Sequence, residues 1–238
     1  MTKVNHYVLR GTIELLSGTR IGGSDDILQI GGTDLTCIRD PVTEKPYIPG
    51  SSLKGRMRSC LEKHLGKTSG RGDEPCGCAQ WDCPVCRAFG PHKQTRHELG
   101  PTRLIVRDAP LIGGFDVFEN KTESTIRRDT GAAQHPRTVE RVPPGARFQL
   151  EIAVQVYDID EDFACTLFHE QQSKGAEALL DLVDFSLQLV EETGIGSGVG
   201  KGYGQVKIEL TEESESTPSP RRPRGSPPPN QTDEGAPA

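Results

Sequence analysis

No stretch of this 238-residue chain comes near the roughly 20 consecutive apolar residues a membrane-spanning helix needs, which excludes a helical membrane protein. Aromatic residues make up 5% of the chain and hydrophobic residues 33%, against 27 glycines and 18 prolines. Such a composition implies long loops, and loops on a rigid scaffold are where chemistry is to be sought. The nucleophile elbow G-x-S-x-G, the zinc-protease signature H-E-x-x-H and a nucleophilic-cysteine signature are all missing, which excludes hydrolases of those types. The glycine-rich run at 194–204 is no nucleotide P-loop, because Ile195 stands where the first glycine belongs and Gly202 follows Lys201 where Ser or Thr belongs. It runs from a helix pattern into a strand pattern, the wrong way round for a Rossmann turn. No signal peptide precedes the first strand pattern, so a soluble protein of the reducing cytoplasm is expected. The length fits one domain with embellishments or two small ones.

What is present in abundance is cysteine at ligand spacing. Cys76, Cys78, Cys83 and Cys86 fall within eleven residues, whereas Cys37, Cys60 and Cys165 are scattered singly. C-x-C followed by C-x-x-C is the pattern of a structural Zn²⁺ site, in which thiolates close a tetrahedron. A disulfide pair is the alternative, disfavoured by the expected compartment. Cys76 and Cys78 are one residue apart and compete for one position unless both bind. His64 is the alternative fourth ligand, with His92 and His97 behind it.

Hydrophobic periodicity gives the frame. Residues 4–16 place Tyr7, Leu9, Ile13 and Leu15 at a spacing of two, interrupted at Gly11, and read as a half-buried strand. Short strands are expected at 36–38 and 47–48. Pro49-Gly-Ser-Ser52 then introduces a helix with Leu53, Met57, Cys60, Leu61 and Leu65 on one face, capped by a hydroxyl. Strands are expected at 103–108, 147–157 and 205–210, and a second helix at 175–192. The polar stretch 120–144 reads as an extended arm. Strand, helix, strand, strand, helix, strand fits an α+β, ferredoxin-like (RRM-like) sandwich with inserted loops. Residues 211–238, rich in Pro, Ser, Glu, Gly and Arg, are expected to be a disordered tail.

The net charge of −6 conceals an asymmetry. Residues 1–150 hold 22 Lys and Arg against 17 Asp and Glu, whereas residues 151–210 hold 3 against 12. One face can meet phosphates while another meets solvent or a basic neighbour. Lys54, Arg56 and Arg58 sit in the first turns of the helix at 53–65, where free N–H groups and the dipole favour an anion; solvated basic residues on an amphipathic helix are the alternative. Repeated glycines at 194–204 serve either a purely structural turn or close approach to a phosphate backbone. Asp25, Asp26, Asp34 and Asp40 share the first long loop, either merely solvated or able to hold Mg²⁺.

These segments, taken in order, resemble one family. Ile21-Gly-Gly-Ser-Asp25, Ile30-Gly-Gly-Thr-Asp34 leading to Asp40-Pro41, Ile48-Pro-Gly-Ser-Ser-Leu-Lys-Gly-Arg-Met-Arg58, Arg87-Ala-Phe-Gly90, Arg103-Leu-Ile-Val-Arg-Asp-Ala109 and Gly194–Gly204 are similar to the RAMP superfamily. Within it they resemble the repeated backbone subunit of type III CRISPR effector complexes, of the III-A or III-D kind, that cleaves target RNA. The resemblance spans residues 1–210 as a single RAMP domain.

It implies a ferredoxin-like palm, a lid inserted at about 66–100 and a thumb hairpin at about 115–142 that reaches the next copy in a filament. It implies a guide RNA and a complementary target RNA as partners, other type III effector subunits beside it, and no membrane. Asp34 is the implied catalytic residue for metal-dependent cutting at regular intervals, with Mg²⁺ or Mn²⁺. Guide contacts are implied for Arg20, Ser51, Ser52, Lys54, Arg56 and Arg58 and for the loop bearing Gly198, Gly200, Lys201 and Gly202. Arg127, Arg137 and Arg141 are implied thumb contacts. The four cysteines depart from many members, whose lid lacks them, and read as a staple for an insert too small to fold alone. A non-catalytic guide-binding scaffold subunit is the second reading.

Overall fold

The computed structural model describes residues 1–22, 36–68, 74–168 and 171–215. Asp25, Asp26, Asp34 and the tail from residue 216 onward lie outside the described residues. The elements in chain order are β1 (Lys3–Leu15), β2 (Tyr47–Ile48), α1 (Gly50–His64), α2 (Pro84–Phe89), β3 (Leu104–Val106), β4 (Ala109–Gly113), β5 (Glu119–Ile126), β6 (Ala133–Arg141), β7 (Arg147–Tyr157), β8 (Ala164–Phe168), β9 (Gln171–Lys174), α3 (Gly175–Thr193) and β10 (Val206–Glu215).

The fold is mixed α and β. One antiparallel sheet runs β10-β1-β7-β4-β2, with β3 also paired to β7. Its central strand β7 buries Phe148, Leu150, Ile152, Val154 and Val156 at alternate positions, the pattern of a strand with a fully covered face. Helices α1 and α3 pack against each other and the sheet through Leu53, Met57, Leu61, Leu179, Leu182 and Val190, all within one core. No helix among the described residues is long and apolar enough to cross a membrane. Two ribbons stand off the sheet, β5 with β6 and β8 with β9.

Gly11 interrupts the apolar row of β1 for a physical reason. A Cβ there would lie 2.1 Å from the Glu209 carbonyl oxygen of β10, and the pairing of the two strands shifts register between Arg10 and Gly11. Past that bulge β10 continues to Glu215, five residues beyond the strand end expected at Leu210. Tyr7 to Arg10 supply main-chain partners to residues 212–215, and Arg10 ion-pairs Glu212 at 3.3 Å and Glu151 at 3.0 Å. Backbone pairing needs no apolar side chain, which is why a composition change at Thr211 did not mark the end of the sheet.

The hydroxyl cap expected on the first helix is also corrected. The N-cap of α1 is Pro49, and neither Ser51 nor Ser52 caps it; the Gly50 amide instead donates to Asp108 Oδ1 at 2.7 Å. A carboxylate from the turn between β3 and β4 thus meets the helix end where a phosphate was expected. Residues 36–38 form only an isolated bridge, Gly22 with Cys37, rather than a strand.

Candidate functional site

The cysteine loop gathers all four thiols. Cys76 Sγ lies 3.6 Å from Cys78 Sγ, 3.8 Å from Cys83 Sγ and 3.7 Å from Cys86 Sγ, and Cys78 lies 3.7 Å from Cys86. These separations are far beyond a disulfide bond, and all seven cysteines are free. The four donors lie within 4.8 Å of one another and form a group able to hold a metal ion. Cys76 and Cys78 both belong to it. Local chain geometry supplies the closeness: Cys83 caps α2, Pro84 opens that helix, and the first turn carries Cys86 back over the loop. Hydrogen bonding from Cys86 draws the Cys83 thiol down to about 5, while the same contact pushes the Cys86 thiol up and burial pushes Cys76 up, so the thiolate is favoured at Cys83 alone of these three. His64 is placed elsewhere, edge-on to the Phe185 ring at 4.9 Å.

A second locus forms where three segments meet. Ile21, Ser52, Arg56, Ser59, Gly196 and Ser197 line one cleft between the start of α1 and the glycine-rich loop. The described residues on either side of 23–35 are tied to each other beside this cleft, by the Ile38 amide donating to the Ile21 carbonyl at 2.8 Å and by Arg20 Nε donating to the Thr36 carbonyl at 3.2 Å. Buried Glu140 accepts the Cys37 amide at 2.9 Å and Arg39 Nη2 at 2.5 Å. The glycine-rich loop lies directly against this base: Ser197 donates its amide to the Arg20 carbonyl at 2.9 Å, and a Cβ at Gly196 would stand 2.6 Å from that same oxygen. Gly198 and Gly202 both adopt left-handed backbone, and no described atom lies within 4 Å of where a Cβ at Gly200 or Gly202 would stand.

The third locus is the β5–β6 ribbon. Glu123 accepts the Tyr203 hydroxyl at 2.5 Å, Lys201 Nζ at 2.9 Å and Arg137 Nη2 at 2.9 Å. The Tyr203 hydroxyl, with Lys201 and Arg137, holds this carboxyl down at about 2. Lys121 and Arg141 flank the Tyr203 ring at 4.4 and 4.6 Å. The ribbon is therefore tied to the glycine-rich loop. Arg127 pairs with Asp129 in the turn of the ribbon.

Not every basic residue near the start of α1 faces the cleft. Arg56 lines it, with Nε and Nη2 donating to the Gly194 and Thr193 carbonyls at 2.7 and 2.8 Å. Lys54 is turned into the fold, donating to the Leu104 carbonyl at 2.7 Å and to Thr102, and burial lowers its pKa. Arg58 points to the cysteine loop, pairing with Glu62 at 2.8 Å and donating to the Cys76 carbonyl at 2.7 Å. Asp40 Oδ1 accepts the Val42 and Thr43 amides at 3.0 and 2.8 Å; the Thr43 amide chiefly lowers its pKa, and its role is to close a turn.

Sequence reading missed a buried cluster. Arg87 and Arg103 both converge on Asp160, and all three side chains are almost wholly excluded from solvent. Arg87 also stacks on Trp81 at 4.0 Å, and so joins the cysteine loop to the sheet. Glu62, Glu123 and Glu140 were likewise missed. The sequence offers only the spacing of four between Arg58 and Glu62 as a signal, because the other partners of these carboxylates, Glu62 with Cys76, Glu123 with Lys201 and Glu140 with Cys37, lie at least 14 residues away along the chain.

The RAMP superfamily matches residues 12–207. A protein of Methanothermobacter thermautotrophicus named CRISPR system Cms endoribonuclease Csm3 is 40% identical over 182 residues, covering 66% of this chain and 71% of that one. A protein of the same name from Methanocaldococcus jannaschii is 40% identical over 167 residues, covering 66% of each chain. Among solved structures, the Csm3–Csm4 subcomplex of the type III-A CRISPR-Cas interference complex is similar at a TM-score of 0.52 and 26% identity, covering 90% of this chain and 80% of that one.

Proposed function

The chain belongs to the RAMP superfamily, and we propose that it is the guide-RNA-binding backbone subunit of a type III CRISPR effector, an endoribonuclease that cuts complementary target RNA at regular intervals. The observation that carries this reading is the 40% identity over 182 residues to a relative named as a Csm3 endoribonuclease. The strand order β10-β1-β7-β3, with α1 and α3 packed together, supports a ferredoxin-like palm. The β5–β6 ribbon is the thumb that reaches a neighbouring copy in the filament, and the segment bearing the four cysteines is the lid. No part of the activity calls for a membrane, and the cytoplasm is its site.

Guide phosphates run along the cleft of Ser52 and Arg56, with Arg20 beside it, and over the glycine-rich loop with Gly198, Gly200, Lys201 and Gly202, while base pairing between guide and target supplies specificity. Ser51 stands beside Ser52 on the same helix turn. Arg127, Arg137 and Arg141 serve the thumb. Lys54 and Arg58 stand outside the cleft lining, Lys54 directed to the Leu104 carbonyl and Arg58 to the Cys76 carbonyl.

Asp34 acts on the target. The residues that flank its segment, Ile21 and Gly22 on one side and Cys37 and Ile38 on the other, are tied to each other beside the cleft, and Cys37 to Glu140 of the ribbon, which favours a carboxylate acting beside a nucleotide splayed by the thumb. There Asp34 removes the 2′-hydroxyl proton as that oxygen bonds to the adjacent phosphorus and the bond from phosphorus to the next nucleotide's 5′-oxygen breaks, which leaves a 2′,3′-cyclic phosphate and a 5′-hydroxyl that takes its proton from solvent; in the alternative role its carboxylate would hold a divalent ion. Mg²⁺ or Mn²⁺ bound at this place would offset charge on the phosphate oxygens. The cysteine set fits Zn²⁺: a tetrahedron with Zn–S bonds of about 2.3 Å has edges of about 3.8 Å, Cys76 Sγ stands 3.6 to 3.8 Å from the other three thiols, Cys78 stands 3.7 Å from Cys86, and all four lie within 4.8 Å of one another. That ion is structural, with no open position for substrate.

The test is an assembled guide complex carrying Asp34→Ala, compared with wild type on complementary RNA in Mg²⁺ and in EDTA, with binding followed beside cleavage. Cleavage that disappears in the variant and in EDTA while binding persists supports the assignment. Cleavage by the variant equal to wild type, or binding by wild type without any cutting, overturns it, the latter in favour of a scaffold subunit.

A further inference from the structure

The cysteine loop is gripped by more than its thiols. Cys76 is held through both of its peptide groups by two residues one turn apart on α1. Glu62 Oε1 accepts the Cys76 amide at 2.8 Å and also accepts Arg58 Nε at 2.8 Å. Arg58 Nη2 then donates to the Cys76 carbonyl at 2.7 Å, an oxygen that the His92 amide reaches at 3.0 Å. The ring is closed: helix carboxylate, helix guanidinium, and the two peptide groups of the first thiol residue.

Helix stability does not account for this arrangement. The residue at position i is the arginine and that at i+4 the glutamate, the weaker orientation for such a pair on a helix. Glu62 is 4% exposed, so its carboxylate has lost most of its hydration, and removing water from an ion pair commonly costs about as much as the pairing returns. What the pair secures is geometry. A thiol set collected from a loop meets a metal only when its backbone is held, and hydrogen-bonded partners behind the ligands commonly supply that hold. Charge points the same way, since four thiolates around a divalent ion carry a net negative charge and the Arg58 guanidinium stands beside the first of those residues.

We propose that Arg58 and Glu62 are positioning residues of the metal site, which fix the Cys76 peptide so that its thiol stands at tetrahedral spacing from the other three before the ion arrives. The proposal rests on the zinc reading above and assigns Arg58 to the metal site in place of the guide RNA. It also joins that site to the helix whose opposite end lines the RNA cleft.

The experiment measures the zinc affinity of the full chain by competition with a chromophoric chelator, for wild type and for Glu62→Ala, Glu62→Gln and Arg58→Lys. Thermal midpoints are recorded for each, zinc-loaded and zinc-free. Outer-shell partners of a metal are typically worth about 10- to 100-fold in affinity, and a loss of that order is expected for Glu62→Ala. A smaller loss is expected for Glu62→Gln, which keeps an acceptor for the Cys76 amide. Arg58→Lys, which keeps the charge but cannot reach Glu62 and Cys76 together, should also weaken zinc. The midpoint should fall mainly in the zinc-loaded state. Unchanged affinity, or equal falls in both states, overturns the proposal and makes Glu62 a packing residue. If Glu62→Ala does not fold, the other two variants decide. Should wild type take up no zinc, the metal reading fails first and this one with it; uptake by wild type with unchanged affinity in the variants removes only the brace.

Discussion

Arg103 and Asp160 form a two-point ion pair with no solvent on either side: Nε meets Oδ2 at 2.9 Å and Nη2 meets Oδ1 at 2.8 Å. Arg87 adds a third bond from α2 at 3.2 Å, and the Tyr157 amide a fourth at 2.9 Å. Asp160→Ala would strand two buried guanidinium groups. Breaking a buried pair by removing one partner costs about 3 to 5 kcal/mol, and a drop of that size is expected in urea unfolding, with little change in the slope of the transition.

Glu123 ties the thumb ribbon to the glycine-rich loop, and its pH dependence has a definite sign. Its folded pKa is depressed to about 2 from the ordinary 4.5, so the tie is at full strength above about pH 4.5 and is lost as pH falls toward 2. The protection of amides in β5 and β6, taken relative to the intrinsic exchange rate at each pH, should therefore fall across that acid window in wild type. Glu123→Gln should show the lower protection already at neutral pH and little further change in acid.

Two glycines of one loop should respond oppositely to alanine. Gly204 has φ +73° and its added Cβ would lie 1.9 Å from the Ile195 carbonyl oxygen, whereas Gly200 has an ordinary φ and open space. Gly204→Ala is expected to lower stability by more than about 1 kcal/mol, and Gly200→Ala to leave it unchanged or raise it by up to about 1 kcal/mol. Guide binding by the well-folded Gly200→Ala protein then reports how closely RNA approaches the loop; a weakened complex places the backbone there.

Metal removal can be followed at the one tryptophan of the chain. Trp81 lies between Cys78 and Cys83, half-exposed, with the Arg87 guanidinium 4.0 Å from its ring. A zinc chelator should shift its emission to the red and lower the thermal midpoint of the whole protein, since Arg87 carries the loop into Asp160 and the sheet. Emission unchanged by a chelator that extracts the ion would show that the loop keeps its shape without it.

Much of this architecture was already legible in the amino-acid sequence, because it depends on local periodicity. Alternation from Phe148 to Val156 set the central strand, helical spacing from Leu53 to Leu61 set α1, and the spacing of Cys76, Cys78, Cys83 and Cys86 set a ligand group that a short loop can close on itself. Gly11 stood out as a break in the apolar row of β1, and the fold showed that break to be a bulge. The destinations of the charged side chains were decided only by the tertiary structure. Lys54, Arg56 and Arg58 look alike along the helix, yet their 100° steps send one to Leu104, one to the carbonyls that end α3, and one to Cys76. Which carboxylate a cation meets depends on segments brought together from far along the chain, as Arg103 meets Asp160 and Lys201 meets Glu123. A buried ion pair leaves no periodic trace, because its partners are fixed by the packing of the whole core rather than by spacing along any one strand or helix.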